Sequence, residues 1–297
     1  MVARSLLIAL SRARHESKAR LIKALMLAAG VARRLYGEEN DELPKALLRF
    51  DDQSLLQRHI ELLQAYGVKE LVMIVGHRQD DLIAEAGTVA HEGFVRPIFN
   101  PRYKEGPLLS MAKGIEVLRG GTDVLFMDSD VLYHPLMLEK LITSPHRNCF
   151  IMDRQFQSTD DFVKICLDGG EVVDFGKSLG GDFELFGEWP GFLKISPEIA
   201  AKVANRTQGF IDRDDIKGPY EQAFREVLMG EPRGTFAIED VTGIPWIEID
   251  SPEDLDKANR KTFPRISEHL TEITDVEAPL ESTETTDHNV LPFTQPG

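Results

Sequence analysis

Asp128-Ser129-Asp130 closes the apolar run Val124-Leu125-Phe126-Met127. In an extended chain, residues two apart point the same way, so Asp128 and Asp130 can meet one hard cation such as Mg²⁺. The simpler alternative is a strand-ending turn with acids in it. Asp250 ends a second apolar run, with Trp246 and Glu248 on its face. Its simpler alternative is an acid favoured just before a helix N-terminus. A third stretch, Lys23-Ala24-Leu25-Met26-Leu27-Ala28-Ala29-Gly30, closes on small residues, with Arg33, Arg34 and Lys45 following. Ala28, Ala29 and Gly30 leave bare backbone, whose N–H groups can face an anion. Bare backbone plus cations suits a triphosphate. The loop lacks the Gly-Lys-Ser/Thr of a Walker loop and the third glycine of a dinucleotide fingerprint.

Further residues carry weaker signals. Lys45 follows Pro44, whose fixed φ would help aim it, in an otherwise acidic stretch. Lys177 follows Gly176 and is either a solvated hairpin end or an anion contact. Glu188 beside Trp189 is either a rim pair or a clamp that holds a cationic group against the indole face. His59 shares a helical face with Leu55, Leu56, Ile60, Leu63 and Tyr66, and so reads as a packed core histidine.

The elements that must position these residues alternate. Strands over 71–75, 95–99 and 124–127 follow the first one, separated by helices over 54–66, 80–86 and 110–118. This rhythm predicts an α/β fold: a mixed, mostly parallel Rossmann-like sheet with helices on both faces. Gly30, Gly76, Asn100 and Asp128 all fall at the carboxyl ends of strands, where such sheets bind ligands. Residues 162–167 and 171–175 flank Asp168-Gly169-Gly170 and read as a small antiparallel β insertion. Ser251-Pro252-Glu253-Asp254 has the cap, proline and acids of a helix start.

Composition narrows the function. The net charge of -15 argues against nucleic acid, so an anionic substrate must be held by local cations or metal. No apolar run reaches the length of a membrane span. Cys149 and Cys166 have no metal or pairing spacing and fit reduced core residues of a cytoplasmic protein. Residues 1–21 form a basic N-terminal extension and 22–264 the folded domain. Residues 265–297 are acidic and rich in Thr, Glu and Pro, which predicts a disordered tail.

LAAGVARRL and LPKALL together resemble the start of the nucleotidyltransferases that activate sugar phosphates and small phospho-alcohols, a group that includes MobA-like enzymes. Their signature is LAAGxGxR followed by PK. Gly30, Arg34, Pro44 and Lys45 match it, while Ala32 stands where a second glycine is expected. NPRYKEGPLLSMAKGI, VLFMDSDVLYHP, VVDFGKSL and WIEIDSPEDLDKA are similar to the branch that transfers CMP to phosphocholine, aminoethylphosphonate or inositol phosphate. The resemblance covers roughly residues 22–262.

The resemblance implies roles for single residues. Leu27, Ala28, Ala29 and Gly30 would hold base and ribose, with Gly76 and the loop from Asn100 through Gly106 to Ser110 completing the pocket. Arg34 and Lys45 would bind the triphosphate. Asp130 with Asp128, and Asp250, would hold Mg²⁺. Lys177 and Glu188 would face the acceptor. The expected reaction is CMP transfer from CTP to a small phosphorylated or phosphonate alcohol or amine, releasing pyrophosphate. Transfer from UTP or GTP to a sugar phosphate or cofactor is a second reading. A metal-dependent glycosyltransferase and a catalytically silent nucleotide sensor are others. A homodimer is compatible with the sequence but not required by it.

Overall fold

Six strands of one sheet run in the same direction, because each crossover between them carries a helix back across the sheet. The computed structural model describes residues 21–37, 41–155, 162–177, 179 and 183–276. In chain order the first half holds β1 (Ile22–Ala28), α1 (Arg33–Tyr36), β2 (Arg49–Phe50), β3 (Gln53–Ser54), α2 (Leu55–Ala65), β4 (Glu70–Val75), α3 (Gln79–Gly87) and β5 (Val95–Phe99). Then come α4 (Pro107–Lys113), α5 (Ile115–Leu118), β6 (Asp123–Asp128), β7 (Val131–Tyr133), α6 (Pro135–Thr143) and β8 (Cys149–Met152). The second half holds β9 (Lys164–Asp168), β10 (Glu171–Gly176), β11 (Leu185–Glu188), β12 (Phe192–Ile195), α7 (Pro197–Asp212) and α8 (Glu221–Gly230). It ends with β13 (Ala237–Asp240), β14 (Trp246–Glu248), α9 (Pro252–Lys257) and α10 (Phe263–Val276).

The main sheet has seven strands in the order β13-β8-β12-β6-β1-β4-β5. Only β12 runs against its neighbours β6 and β8; the β1/β4, β1/β6, β4/β5 and β8/β13 pairs are parallel. This is the mixed, mostly parallel sheet expected from the alternating pattern. Side chains of β1 alternate between two cores: Leu25 packs with Val72, Phe126 and the helices after β5, and Ala24 and Met26 pack with Met73, Leu56 and Ile60. Both faces are therefore dry, which is why these strands read as continuous apolar runs.

Local chemistry fixes the helix ends. Ser54 and Gln57 form a capping box on α2, and Ser251 and Asp254 form another on α9. The helix expected over 110–118 starts three residues earlier, at Pro107, and is interrupted at Gly114. A Cβ on Gly114 would lie 2.6 Å from Leu25 Cδ2, so only glycine lets this segment sit on β1. β9, β10 and β11 form a three-stranded antiparallel insertion, of which β9 and β10 are the expected hairpin.

The tail expected from residue 265 differs. Residues Phe263–Val276 are helical, with Ile266 and Leu270 buried against Leu35, Phe50, Leu132 and Ile249. Charged residues around two apolar positions lowered its apparent hydrophobicity, but those positions are one helical turn apart and find a partner. The rest of that segment and residues 1–20 lie outside the described residues. Both cysteines are buried and free. Among the described residues no helix is long and apolar enough to cross a membrane.

Candidate active site

Lys45 is the centre of the site. Pro44 (φ -52°) leads into a short 3₁₀ turn over Lys45–Leu47, anchored by buried Ala46 and Leu47. The Lys45 ammonium donates to Asp130 Oδ2 at 3.0 Å and to Asp250 Oδ1 at 2.5 Å. Arg34 reaches the other oxygen of Asp250, at 2.7 Å. Three segments of the chain, around residues 34–45, 130 and 250, thus meet at one point.

Asp130 and Asp250 meet because of a two-stranded ladder. β7 pairs antiparallel with β14, with Glu248 opposite Val131, and the Ile249 N–H donates to the Asp130 carbonyl at 3.1 Å. Each aspartate lies just beyond the end of a paired strand. On the Asp250 side, Asp254 accepts from the N–H groups of Asp250 and Ser251 at 3.3 and 3.0 Å. The helix cap thereby holds the backbone of the acid.

One carboxylate oxygen each from Asp130, Glu248 and Asp250 lies within 4.8 Å of the others. Burial pushes the Glu248 carboxyl well up, and the charges of Asp130, Asp250 and Asp128 push it further. Burial pulls the Lys45 ammonium down, but Asp130 and Asp250 outweigh it and leave it raised. This is a concentrated negative site that requires positive charge. Its donors are all hard carboxylate oxygens, which suits Mg²⁺ or Mn²⁺ and not a thiolate- or imidazole-preferring metal.

Asp128 does not join this set. Both its oxygens lie on the Tyr220 hydroxyl, at 2.8 and 2.7 Å, and Gly191 packs against it, where a Cβ would come within 2.9 Å of Oδ2. Burial and the nearby Asp130 charge push the Asp128 carboxyl well up. Strand alternation does not carry across this stretch, because pairing in β6 stops at Asp128, and Ser129 and Asp130 form a bend before β7. Glu248 is the third carboxylate of the cluster with Asp130 and Asp250. It was legible as the i−2 neighbour of Asp250, whereas Tyr220 gave no signal at all.

The glycine loop follows β1, whose Leu27 lies opposite Asp128 of β6. Ala28 and Ala29 are buried, Leu27 partly so, and Gly30 is exposed, with open space where its Cβ would be. Gly76 abuts this loop: a Cβ there would lie 2.8 Å from the Ala29 carbonyl and 2.6 Å from the Tyr103 ring. Asn100 is buried, donating to Ser110 Oγ at 3.1 Å and accepting the Arg102 N–H at 3.0 Å. Gly106 (φ +149°) passes so near the Ile216 carbonyl that a Cβ would stand 2.8 Å away. Gly76 packs on the β1 loop, while Gly106 and Ser110 shape the turn into α4.

The two acceptor candidates separate. Burial, then the Asp153 and Asp254 charges, pushes the Glu188 carboxyl up to about 7, so it lies in the field of the residue that caps Asp250. Lys177 instead lines a cavity with Phe175, Glu221 and Arg225. The expected clamp of Glu188 with Trp189 does not form. Trp189 is buried, donating to the Phe192 carbonyl at 2.8 Å and stacked on Phe126, because neighbours along a strand face opposite ways. Trp246 is the indole on this side, donating to Asp153 Oδ2 at 2.8 Å.

Comparisons with known proteins agree with this geometry. The chain is 25% identical over 253 residues to a CMP-5'-(3-aminopropyl)phosphonate synthase from Streptomyces rubellomurinus, covering 82% of this chain and 39% of that protein. It is 28% identical over 246 residues to a bifunctional IPC transferase and DIPP synthase from Aquifex aeolicus, covering 80% and 51%. The chain thus spans about half the length, or less, of these relatives. The fold matches the inositol-1-phosphate CTP transferase of T. maritima with a TM-score of 0.67 at 19% identity, over 86% of this chain and 98% of that one. Residues 24–161 match the MobA-like NTP transferase domain, the stretch that contains the glycine loop, Arg34, Lys45 and Asp130. The sheet and the place of the site at the carboxyl ends of its strands agree with that match, so over residues 24–161 the chain is similar to MobA-like NTP transferase domains.

Proposed function

We propose that this enzyme is a Mg²⁺-dependent cytidylyltransferase that transfers CMP from CTP to a small phosphorylated or phosphonate alcohol or amine. The observation that carries this reading is the convergence of Lys45 and Arg34 on Asp130 and Asp250, with the bare-backbone Gly30 four residues before Arg34. The CMP-transferring relative with an aminoalkyl phosphonate product supports the choice of base and acceptor class.

In this reading Asp130, Glu248 and Asp250 hold the divalent ion, which supplies charge neutralisation for the triphosphate and the departing pyrophosphate. Gly30 and its neighbours offer backbone N–H groups and leave room for the nucleotide. Lys45 and Arg34 bind and neutralise phosphate oxygens. An acceptor phosphate or phosphonate oxygen attacks the α-phosphorus in line; the new O–P bond forms as the bond to the β-phosphate oxygen breaks. No protein nucleophile is required, so the residues act by positioning and charge. Glu188 faces the acceptor, and as an acid in the field of Asp153 and Asp254 it favours a cationic substituent there. Lys177 serves the acceptor side from the neighbouring cavity.

The test is a pyrophosphate-release panel that crosses four nucleoside triphosphates with phosphocholine, aminoethylphosphonate, inositol phosphate and hexose phosphates. CTP with an amine-bearing acceptor is expected to give the highest kcat/KM. Best turnover with UTP or GTP would replace the base assignment, and release of UDP from a UDP-sugar would replace the reaction. Asp250→Ala is the control, expected to lose turnover while keeping a cooperative melt.

A further inference from the structure

His59 is fully buried on α2, among Leu56, Ile60, Leu63 and Phe192. Packing alone would accept leucine at this position, and a buried imidazole is costly unless both its nitrogens are satisfied. Both are. Nε2 lies 3.2 Å from the Ser129 carbonyl and Nδ1 lies 3.2 Å from the Tyr133 hydroxyl. A carbonyl only accepts, so Nε2 carries the proton, and Nδ1 accepts from the tyrosine O–H. The ring also stacks on Tyr133, with centroids 5.4 Å apart, and presents an edge to Phe192.

The two partners are the ends of one short segment, Ser129 to Tyr133, and Asp130 lies inside it. From the other side, the Asp130 carbonyl accepts the Ile249 N–H at 3.1 Å, and β7 pairs with the strand that carries Glu248. A bend outside regular strand pairing, holding an acid among other acids, is thus tied down by one side chain from a helix on the sheet face. Burial pushes the His59 imidazole down to about 4, so it stays neutral and adds no charge beneath the acids.

We propose that His59 is a positioning residue for Asp130: by pinning Ser129 and Tyr133 it sets the Asp130 carboxylate at the spacing from Glu248 and Asp250 at which one divalent cation is shared. This rests on the reading of those acids as a metal site. His59 touches neither nucleotide nor metal, and its effect passes through the backbone of the bend. Residues that orient metal ligands in this indirect way typically govern affinity by about 10–100-fold.

The experiment uses Mn²⁺ as the probe. It is titrated into the full chain saturated with CTP and without acceptor, and read by water-proton relaxation enhancement. His59→Leu keeps the bulk and removes both anchors; an apparent Kd about tenfold weaker or more is expected, with a cooperative melt retained. His59→Gln keeps a donor for the Ser129 carbonyl and is expected to recover affinity to within about threefold of the native protein. Tyr133→Phe keeps the ring and removes one anchor, and is expected to fall between. In pyrophosphate release, the His59→Leu deficit should shrink as Mg²⁺ is raised to saturation, which a general loss of folded protein would not do. Native affinity in a folded His59→Leu protein overturns the proposal. If that variant does not melt cooperatively, native affinity in Tyr133→Phe overturns it instead. Absence of enhancement in the native protein overturns the metal reading, and this proposal with it.

Discussion

Ala32 occupies a backbone conformation that its side chain disfavours. Its φ of 54° and ψ of 40° are left-handed, at the start of α1 and two residues before Arg34. A second glycine would adopt this without strain, and the alanine Cβ costs about 1–2 kcal/mol there. Ala32→Gly is therefore expected to raise stability by about 0.5–1 kcal/mol, part of the relief being returned as unfolded-chain entropy. Urea denaturation measures it, and a destabilised variant would contradict the assigned backbone conformation. Glu188 gives a prediction in pH. Burial and the Asp153 and Asp254 charges raise its folded carboxyl from the ordinary 4.5 to about 7. Between those values the folded state binds more protons than the unfolded state, so stability falls as pH rises through the window and levels off above it. Glu188→Gln removes this term. The variant should gain stability over the native protein at pH 8 relative to pH 4.5, as measured by denaturation at both values. A constant difference would place Glu188 in contact with water.

Among elements, the last helix has an influence out of proportion to its place in the chain. α10 closes a small core containing Leu35 of α1, Leu132 of β7 and Ile249 next to β14, with Leu48 after the Lys45 turn at its border. Each of these neighbours lies within three residues of a site residue: Arg34, Asp130, Asp250 and Lys45 in turn. Phe263 packs at a tilt against Phe50, with ring centroids 5.7 Å apart, and lies under the Arg58 guanidinium at 5.0 Å. Truncating a fully buried isoleucine leaves a cavity as well as lost transfer energy. Ile266→Ala is expected to cost about 2–4 kcal/mol in urea denaturation and to raise the KM for CTP in the surviving folded fraction. An unchanged KM would show that this core supports the fold and not the site.

For the whole molecule, the net charge of -15 opposes a triphosphate, so under the proposed function binding is expected to depend on local cations and on the divalent ion. Ligand binding to the folded state alone raises stability by mass action. At CTP about 100-fold above its Kd, with Mg²⁺, the gain is about 2.7 kcal/mol, which corresponds to a Tm rise of about 5–10 °C for a domain of this size. Removing Mg²⁺ with EDTA should abolish most of that rise, because three acids would then face the phosphates without their counter-ion. A CTP-induced rise that survives EDTA would contradict the metal-dependent arrangement.

The amino-acid sequence alone determined the layered α/β architecture. Apolar runs such as Leu71–Val75 and Val124–Met127, separated by helical periodicity, can be buried only by parallel pairing with helices on both faces. It also determined that Lys45, Asp130 and Asp250 belong at strand ends and loops, where function resides. The chain order of local elements contains that information. Which acids come within reach of one another was decided only by tertiary structure. The β7/β14 register brings Glu248 into the set, and a tyrosine 92 residues away takes Asp128 out of it. Likewise Trp189 turned into the core and Trp246 faced Asp153. Residue type and spacing specify which side chains can do chemistry. Their meeting depends on pairings between segments distant in the chain, and on bends where the two-residue alternation of a strand stops.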